Sequence, residues 1–389
     1  MRDTGYKSDV KRAALRAISV LFRRNRIVFE SGPEFSCNTY PVYRYLVDEK
    51  HIDEKYELVW LVEDAGKYTQ GVPERHRYLE YSHPDDPPLK KLIYLWTLAT
   101  AKALVYSNRT IGKYSPSQYS ICLMHGMPLK RTQDVYRIDD ECDNVICTSP
   151  FFADNLVEGF GVSKSKLLDF DFPRNDYLFT ERDAAAVLGF GGYCKTIVWL
   201  PTFRRCGFQS EYDLEASPTG LPLLSGMDEL RRFDAFLKKE NCLLLIKPHP
   251  AESGELSLEG LSNIRVVTDG ELCSKGVQLN ELLGRSDALI TDYSTVYYDY
   301  LLTGKPIGLT NDDIEEYTHK RGFFYDDPYS VLKGARLSDA NDLIRFIEDV
   351  KNGEDPYSEE RKKICGVVHP YYKNNTAAAV GELILSRLR

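Results

Sequence analysis

A chain of 389 residues is long for a single core and suits two domains of about 150–200 residues with a cleft between them. Hydrophobic residues at 43%, charged residues at 28% and 19 prolines give a globular composition that is neither collagen-like, disordered nor disulfide-stapled. A net charge of −8 argues against a general nucleic-acid coat, although it leaves room for a local basic surface.

That basic surface opens the chain. Arg2, Lys7, Lys11, Arg12, Arg16, Arg23, Arg24 and Arg26 against Asp3 and Asp9 make residues 1–29 a +6 segment on a −14 remainder. Ala14, Leu15, Ile18, Leu21 and Phe22 recur at helical spacing but are interrupted by arginine, so they form no secretory h-region. Two readings stand: a helix lying on an anionic membrane leaflet, where each basic side chain contributes about 1 kcal/mol, or an amphipathic helix packed on its own domain. The longest apolar stretch, Leu92 to Ala101, falls short of the roughly 18–20 residues that cross a bilayer. Nine cysteines without C-x-x-C spacing read as free thiols in a reducing cytoplasm.

Short β-rich runs then alternate with helical patterns, the pattern of parallel α/β construction. Arg26 to Glu30, Glu57 to Val62, Lys102 to Tyr106, Tyr119 to Met124 and Asn144 to Thr148 predict a first sheet. Thr196 to Leu200, Cys242 to Lys247, Ile264 to Val267, Ala288 to Thr291 and Pro306 to Leu309 predict a second. Phe172 to Asp176, with Gly189, Gly191 and Gly192, marks the crossing between them. The expected organisation is a basic segment over 1–29, an α/β domain over 30–180, a second α/β domain over 190–370 and a last helix over 371–389. Residues 207–225, aperiodic and carrying Pro218, Gly220 and Pro222, predict a loop over the cleft.

Four segments place polar side chains directly after an apolar strand, where parallel sheets carry their ligand sites. His125 and Gly126 follow the strand ending at Met124, and a strand-end histidine is either a general base or a structural residue. His249 stands between Pro248 and Pro250, which fix the backbone on both sides, with Lys247 adding positive charge; an incidental histidine in a Pro-rich turn is the alternative. After the strand ending at Thr291, Asp292 and Tyr293 lead to Ser294 and Thr295 at a helix start. That start is either an anion site for a phosphate or plain N-capping. Thr202, Arg204 and Arg205 follow the strand ending at Leu200, and Arg321 precedes Gly322; both groups can meet an anionic ligand. No P-loop, G-x-G-x-x-G, H-E-x-x-H or G-x-S-x-G motif occurs, which removes the usual support for an ATPase, dehydrogenase, metalloprotease or serine hydrolase.

These segments in this order resemble the CDP-glycerol glycerophosphotransferase family, which primes or polymerises wall teichoic acid and related glycerol-phosphate polymers. The resemblance covers about residues 26–330 and rests on Ile27 to Ser31, His125-Gly126 with Pro128 to Lys130, Pro173 to Asp176, Pro201 to Arg204, Lys247 to Pro250, and Thr291 to Thr295 continuing to Asp299, Lys305 and Pro306. Met127 and Thr295 depart from the usual pattern, and the chain beyond Tyr325 matches poorly.

The resemblance implies two Rossmann-like domains in a glycosyltransferase-B-like arrangement, the acceptor-side domain over 30–180 and the CDP-glycerol-binding domain over 190–370, and transfer of glycerol phosphate from CDP-glycerol to an acceptor hydroxyl, releasing CMP. His125 and His249 would be the essential histidines, in either order of roles. Gly126, Thr202, Arg204, Lys247, Pro248, Asp292, Ser294, Thr295 and Arg321 would bind substrate. It implies no metal and no cofactor, a lipid-linked saccharide or glycerol-phosphate acceptor, and a peripheral place on the inner face of the cell membrane. Alternatives are a CDP-ribitol or other CDP-alcohol transferase, a nucleotide-sugar glycosyltransferase, and a non-catalytic nucleotide-binding scaffold. The length favours a primase or short-chain transferase.

Overall fold

The structure, a computed structural model, describes residues 6–68, 76–131, 138–202, 219, 221–224, 226–249, 258, 260–310, 313–320 and 322–389. The sequence expectations for Arg204, Arg205 and Arg321, and nearly all of that for 207–225, lie outside these residues.

The first half runs α1 (Tyr6–Leu21), β1 (Arg26–Glu30), α2 (Thr39–Asp48), β2 (Glu57–Val62), β3 (His76–Glu80), α3 (Pro88–Thr100), β4 (Ala103–Tyr106), β5 (Tyr119–Cys122), β6 (Asn144–Cys147), α4 (Ala153–Phe160) and β7 (Leu167–Asp169). A short α5 (Ala184–Val187) leads to β8 (Lys195–Leu200), α6 (Met227–Lys239), β9 (Cys242–Ile246), β10 (Ile264–Val266), α7 (Asp269–Ser274), α8 (Leu279–Arg285), β11 (Ala288–Thr291), α9 (Val296–Leu301), β12 (Ile307–Thr310), α10 (Ile314–Lys320) and β13 (Ala335–Leu337). Three helices close the chain: α11 (Ala340–Asn352), α12 (Ser358–Val368) and α13 (Thr376–Leu388).

Among the described residues the strands form two wholly parallel sheets, ordered β3-β2-β1-β4-β5-β6-β7 and β10-β9-β8-β11-β12-β13. β1, β4, β8, β9 and β11 lie inside their sheets and carry buried apolar runs, as parallel strands covered on both faces do; in β1 the run Ile27 to Phe29 is flanked by the buried Arg26 and Glu30. All ten predicted strands are present; β3, β7 and β13 are additions, and each is an edge strand.

The crossing between the sheets is a 3₁₀ segment, Pro173–Phe179, and three successive residues of it, Arg174 to Asp176, are each committed to different neighbours. Pro173 starts the turn. Arg174 reaches Asp299 on α9 (Nε to Oδ2, 2.8 Å) and donates to the His125 carbonyl (2.7 Å). Asn175 donates to Asp171 and accepts from Asn280 on α8. Asp176 accepts from the main-chain N–H groups of Thr376 and Ala377, capping the first turn of α13. The segment is thus packed between α8 on one side and α2 and α13 on the other. Gly284 permits that packing: a Cβ there would stand 2.0 Å from the Leu178 carbonyl oxygen.

A second polar tie lies beside it. The buried His369 ring contacts the Asp171 carboxylate through Nδ1 (2.6 Å) and the Tyr298 carbonyl through Nε2 (2.8 Å). Both partners are acceptors, so the ring must carry a proton on each nitrogen and is an imidazolium. Burial works against that charge, but the hydrogen bond and charge of Asp171 outweigh it with the Tyr298 carbonyl, and the His369 pKa is raised.

α1 packs along α3, with Ser19 buried and Phe22 against Trp96 (centroids 5.4 Å apart). Yet Val20, Leu21 and Phe22, and on α3 Leu89, Leu92 and Ile93, stay exposed. No helix among the described residues is long and apolar enough to cross a membrane.

Candidate active site

Strand ends of the two sheets come together, and His125, Gly126, Lys247, His249, Asp292 and Thr295 lie there. β5 ends at Cys122, Leu123 still bonds to the Tyr106 carbonyl, and Met124 then takes φ of +55°, a left-handed conformation uncommon outside glycine. This turn brings the His125 ring back onto the main chain of Ser107, just beyond β4. The Ser107 main chain favours the protonated ring, as a carbonyl facing a ring N–H does. Gly126 follows, and its lack of a side chain is required: a Cβ would fall 2.2 Å from the Thr295 hydroxyl oxygen.

His249 leaves β9 from the second sheet after Lys247 and Pro248. Its ring lies near enough to His125, Lys130, Lys247 and Asp292 to respond to each. Both rings present surface to the cleft, yet protein atoms crowd each one and deplete the water around it. Burial, then the charges of Lys130, Lys247 and His125, push the His249 pKa down to about 4 against the opposing pull of Asp292. For His125 burial is again the largest cause, followed by the Arg174 guanidinium, and its pKa also lies below the ordinary value. Both shifts therefore favour the neutral imidazole near pH 7.

The remaining predicted residues divide by what they already hold. Asp292 is fully buried and binds Thr202 by its main-chain N–H (2.9 and 3.1 Å) and its hydroxyl, tying the end of β8 to the end of β11. Lys247, buried, is paired with Asp269 at the start of α7 (2.9 Å) and reaches the Pro248 carbonyl (3.4 Å). Ser294 and Thr295 are half-buried where α9 begins; the Ser294 hydroxyl lies 3.5 Å from the Val296 N–H, and Thr295 makes no capping bond with its side chain. Among the described residues no group of three or more His, Cys, Asp or Glu side chains could hold a metal ion.

Sequence reasoning gave no role to three contributors. Lys130 lies inside the quoted Pro128 to Lys130 run, and its charge acts on both histidines. It is fixed by an antiparallel bridge to Phe323, with Arg131 N–H donating to the Gly322 carbonyl and Phe324 N–H to that of Leu129. Arg174 stands in the crossing and in the quoted Pro173 to Asp176 run, without a role of its own. Ser107 acts through its main chain, which no side-chain motif reports.

Two parallel sheets, with two histidines and positive charge gathered at their strand ends, make an α/β architecture of the glycosyltransferase-B kind. The chain belongs to the CDP-glycerol:poly(glycerophosphate) glycerophosphotransferase family, matched over residues 13–386. The match runs through the last helix, so the expectation that similarity fades beyond Tyr325 is corrected; the short hydrophobic runs of α11 to α13 carry no motif that a reading by eye could use. The chain is 25% identical over 349 residues to the teichoic acid poly(ribitol-phosphate) polymerase of Bacillus spizizenii, covering 85% of this chain and 52% of that protein. It is 26% identical over 371 residues to the teichoic acid poly(glycerol phosphate) polymerase of the same organism, covering 87% and 86%. The wall teichoic acid polymerase TagF shares the fold, with a TM-score of 0.74 and 20% identity over 98% of this chain and 95% of that one.

Proposed function

We propose that the protein transfers glycerol phosphate from CDP-glycerol to a hydroxyl of a lipid-linked or glycerol-phosphate acceptor, with His125 as the general base. The acceptor hydroxyl attacks the glycerol-side phosphorus of the donor, the bond from that phosphorus to the CMP oxygen breaks, and CMP leaves. His125 takes the hydroxyl proton on the nitrogen not committed to Ser107, a role typically worth about 10²- to 10⁴-fold. His249 acts at the diphosphate, donating a hydrogen bond from its neutral ring, while Lys130 and Lys247 supply positive potential. The half built on the second sheet holds the donor, with Ser294 and Thr295 at the diphosphate, and the half built on the first receives the acceptor. The carrying observation is the convergence of His125 and His249 from different sheets.

The test is CMP release by His125→Ala and His249→Ala with CDP-glycerol and a soluble acceptor analogue, run beside CDP-ribitol. Folded variants with turnover below about 1% of the wild type support the assignment. Near-normal CMP release by His125→Ala rules out its role as base, and preference for CDP-ribitol rules out the glycerol donor.

The exposed apolar strip over Val20, Leu21, Phe22, Leu89, Leu92 and Ile93, with Arg16 and Arg24 exposed around it, supports a peripheral contact with an anionic leaflet. α1 packs on α3, as one reading of its sequence expects, and leaves the apolar edge from which the membrane reading is argued. Leu21→Asp with Leu92→Asp should abolish sedimentation with phosphatidylglycerol vesicles and leave turnover of the soluble acceptor intact. Unchanged sedimentation would remove the membrane reading.

A further inference from the structure

We propose that Glu30 is a positioning residue for His125, acting through the main chain of Ser107, Asn108 and Arg109; the inference rests on the role given to His125 above. Glu30 ends β1 and is fully buried beneath the loop that leaves β4. Its two carboxylate oxygens accept three successive main-chain N–H groups: Ser107 (3.2 Å) and Asn108 (3.0 Å) on Oε2, and Arg109 (3.0 Å) on Oε1. The Tyr81 hydroxyl adds a longer contact to Oε1 at 3.4 Å.

The register explains why this residue meets that loop. β1 and β4 are paired in parallel with Glu30 opposite Tyr106, so the next three residues turn over the end of β1 and their N–H groups point at its last side chain. The result is a fixed bend whose first residue, Ser107, offers its carbonyl to the His125 ring. The imidazole is thus anchored on a loop that a buried charge holds from below.

The chemistry favours a carboxylate over any neutral substitute. Burial raises the Glu30 pKa, while the three N–H groups and then the Arg109 charge pull the other way. Facing the carboxylate are Tyr81, Tyr94 and Arg109, the last stacked over Tyr81 and paired with Glu63. An amide has one acceptor oxygen and would turn its NH₂ toward N–H donors, leaving at least one buried donor unsatisfied.

The experiment is Glu30→Gln in the full chain. CMP release from CDP-glycerol with the acceptor analogue is followed from about pH 5 to 9, with KM for the donor and the melting temperature measured alongside. Loosening the Ser107 carbonyl removes a contact that favours protonated His125. The expected result is a kcat about tenfold lower, an unchanged donor KM and an acid limb of kcat/KM displaced to lower pH. A fall in melting temperature with kcat and the acid limb unmoved would overturn the proposal, as would a raised KM with normal kcat. If Glu30→Gln does not fold, Tyr81→Phe removes only the hydroxyl on Oε1 and decides the matter: a smaller loss in the same direction supports the proposal, and wild-type behaviour overturns it. His125→Ala run in parallel separates the two ideas, because an active His125→Ala defeats the general-base reading, whereas an inactive one beside a normal Glu30→Gln defeats only this inference.

Discussion

Replacing Arg174 by alanine should cost more stability than any other single change in the crossing segment. The guanidinium is 12% exposed and the Asp299 side chain 2%. Arg174 is the hydrogen-bond partner of Asp299 Oδ2, while Oδ1 is buried with no partner of its own. Truncation therefore strands a buried carboxylate, which costs about 3–5 kcal/mol. Unfolding entropy of about 2.1 cal/mol/K per residue gives about 0.8 kcal/mol/K for a chain of this length melting as one unit, so the melting temperature should fall by about 4–6 °C. The assay is a double-mutant cycle by thermal and urea denaturation, with Arg174→Met and Asp299→Leu alone and together. With no charge left stranded, the double variant should recover most of the loss. Additive losses, or a cost below about 1 kcal/mol for Arg174→Ala, would refute the argument that the pair holds the interface.

Three further outcomes follow from particular contacts. Gly126→Ala places a methyl group 2.2 Å from the Thr295 hydroxyl oxygen, so it should force the two strand-end loops apart, lower kcat and cost about 1–3 kcal/mol in urea melts. Gly284→Ala meets a main-chain oxygen that cannot rotate away; it should destabilise by a similar or larger amount, about 1–3 kcal/mol or more, and leave donor KM unchanged in steady-state assays. His369 has a raised folded-state pKa, so its ion pair with Asp171 contributes fully below the unfolded value of about 6.5 and is lost as pH rises through the folded value. The melting-temperature difference between wild type and His369→Gln should therefore be largest below about pH 6.5 and shrink on the alkaline side.

The central strands were legible because a parallel strand covered on both faces is a short unbroken apolar run, as in Glu57 to Val62 or Cys242 to Ile246. β3 was not, because His76, Arg77 and Glu80 break the run, and an edge strand need bury only part of itself. β7 and β13 are three residues each, too short for a period to register. Strand-end punctuation located His125, His249 and Ser294, since proline, glycine and hydroxyl residues after an apolar run carry local meaning. Arg174 escaped because a polar run beginning with proline reads as a linker until its partners, distant in sequence, are known. Ser107 and Glu30 escaped for a related reason: one acts through its carbonyl, and the other is an ordinary last residue of a strand whose value depends on which strand lies beside it.

The electrostatics of the site connect these pieces. Lys130, Lys247 and Arg174 build positive potential at the strand ends, and the same charges depress the histidines, so the price of attracting a diphosphate is two imidazoles that resist protonation. In the proposed reaction that cost is useful. Before the donor arrives the lowered His125 pKa favours a neutral ring able to accept a proton. The entering diphosphate offsets the positive charge, raises both pKa values, and makes the proton taken from the acceptor easier to hold as the new phosphodiester forms. The acid limb of kcat should therefore lie at higher pH than that of kcat/KM for the donor, because the first reports the loaded enzyme and the second the free one. Coincident limbs would mean that the donor's charge does not reach His125, and the base would have to be sought elsewhere in the cleft.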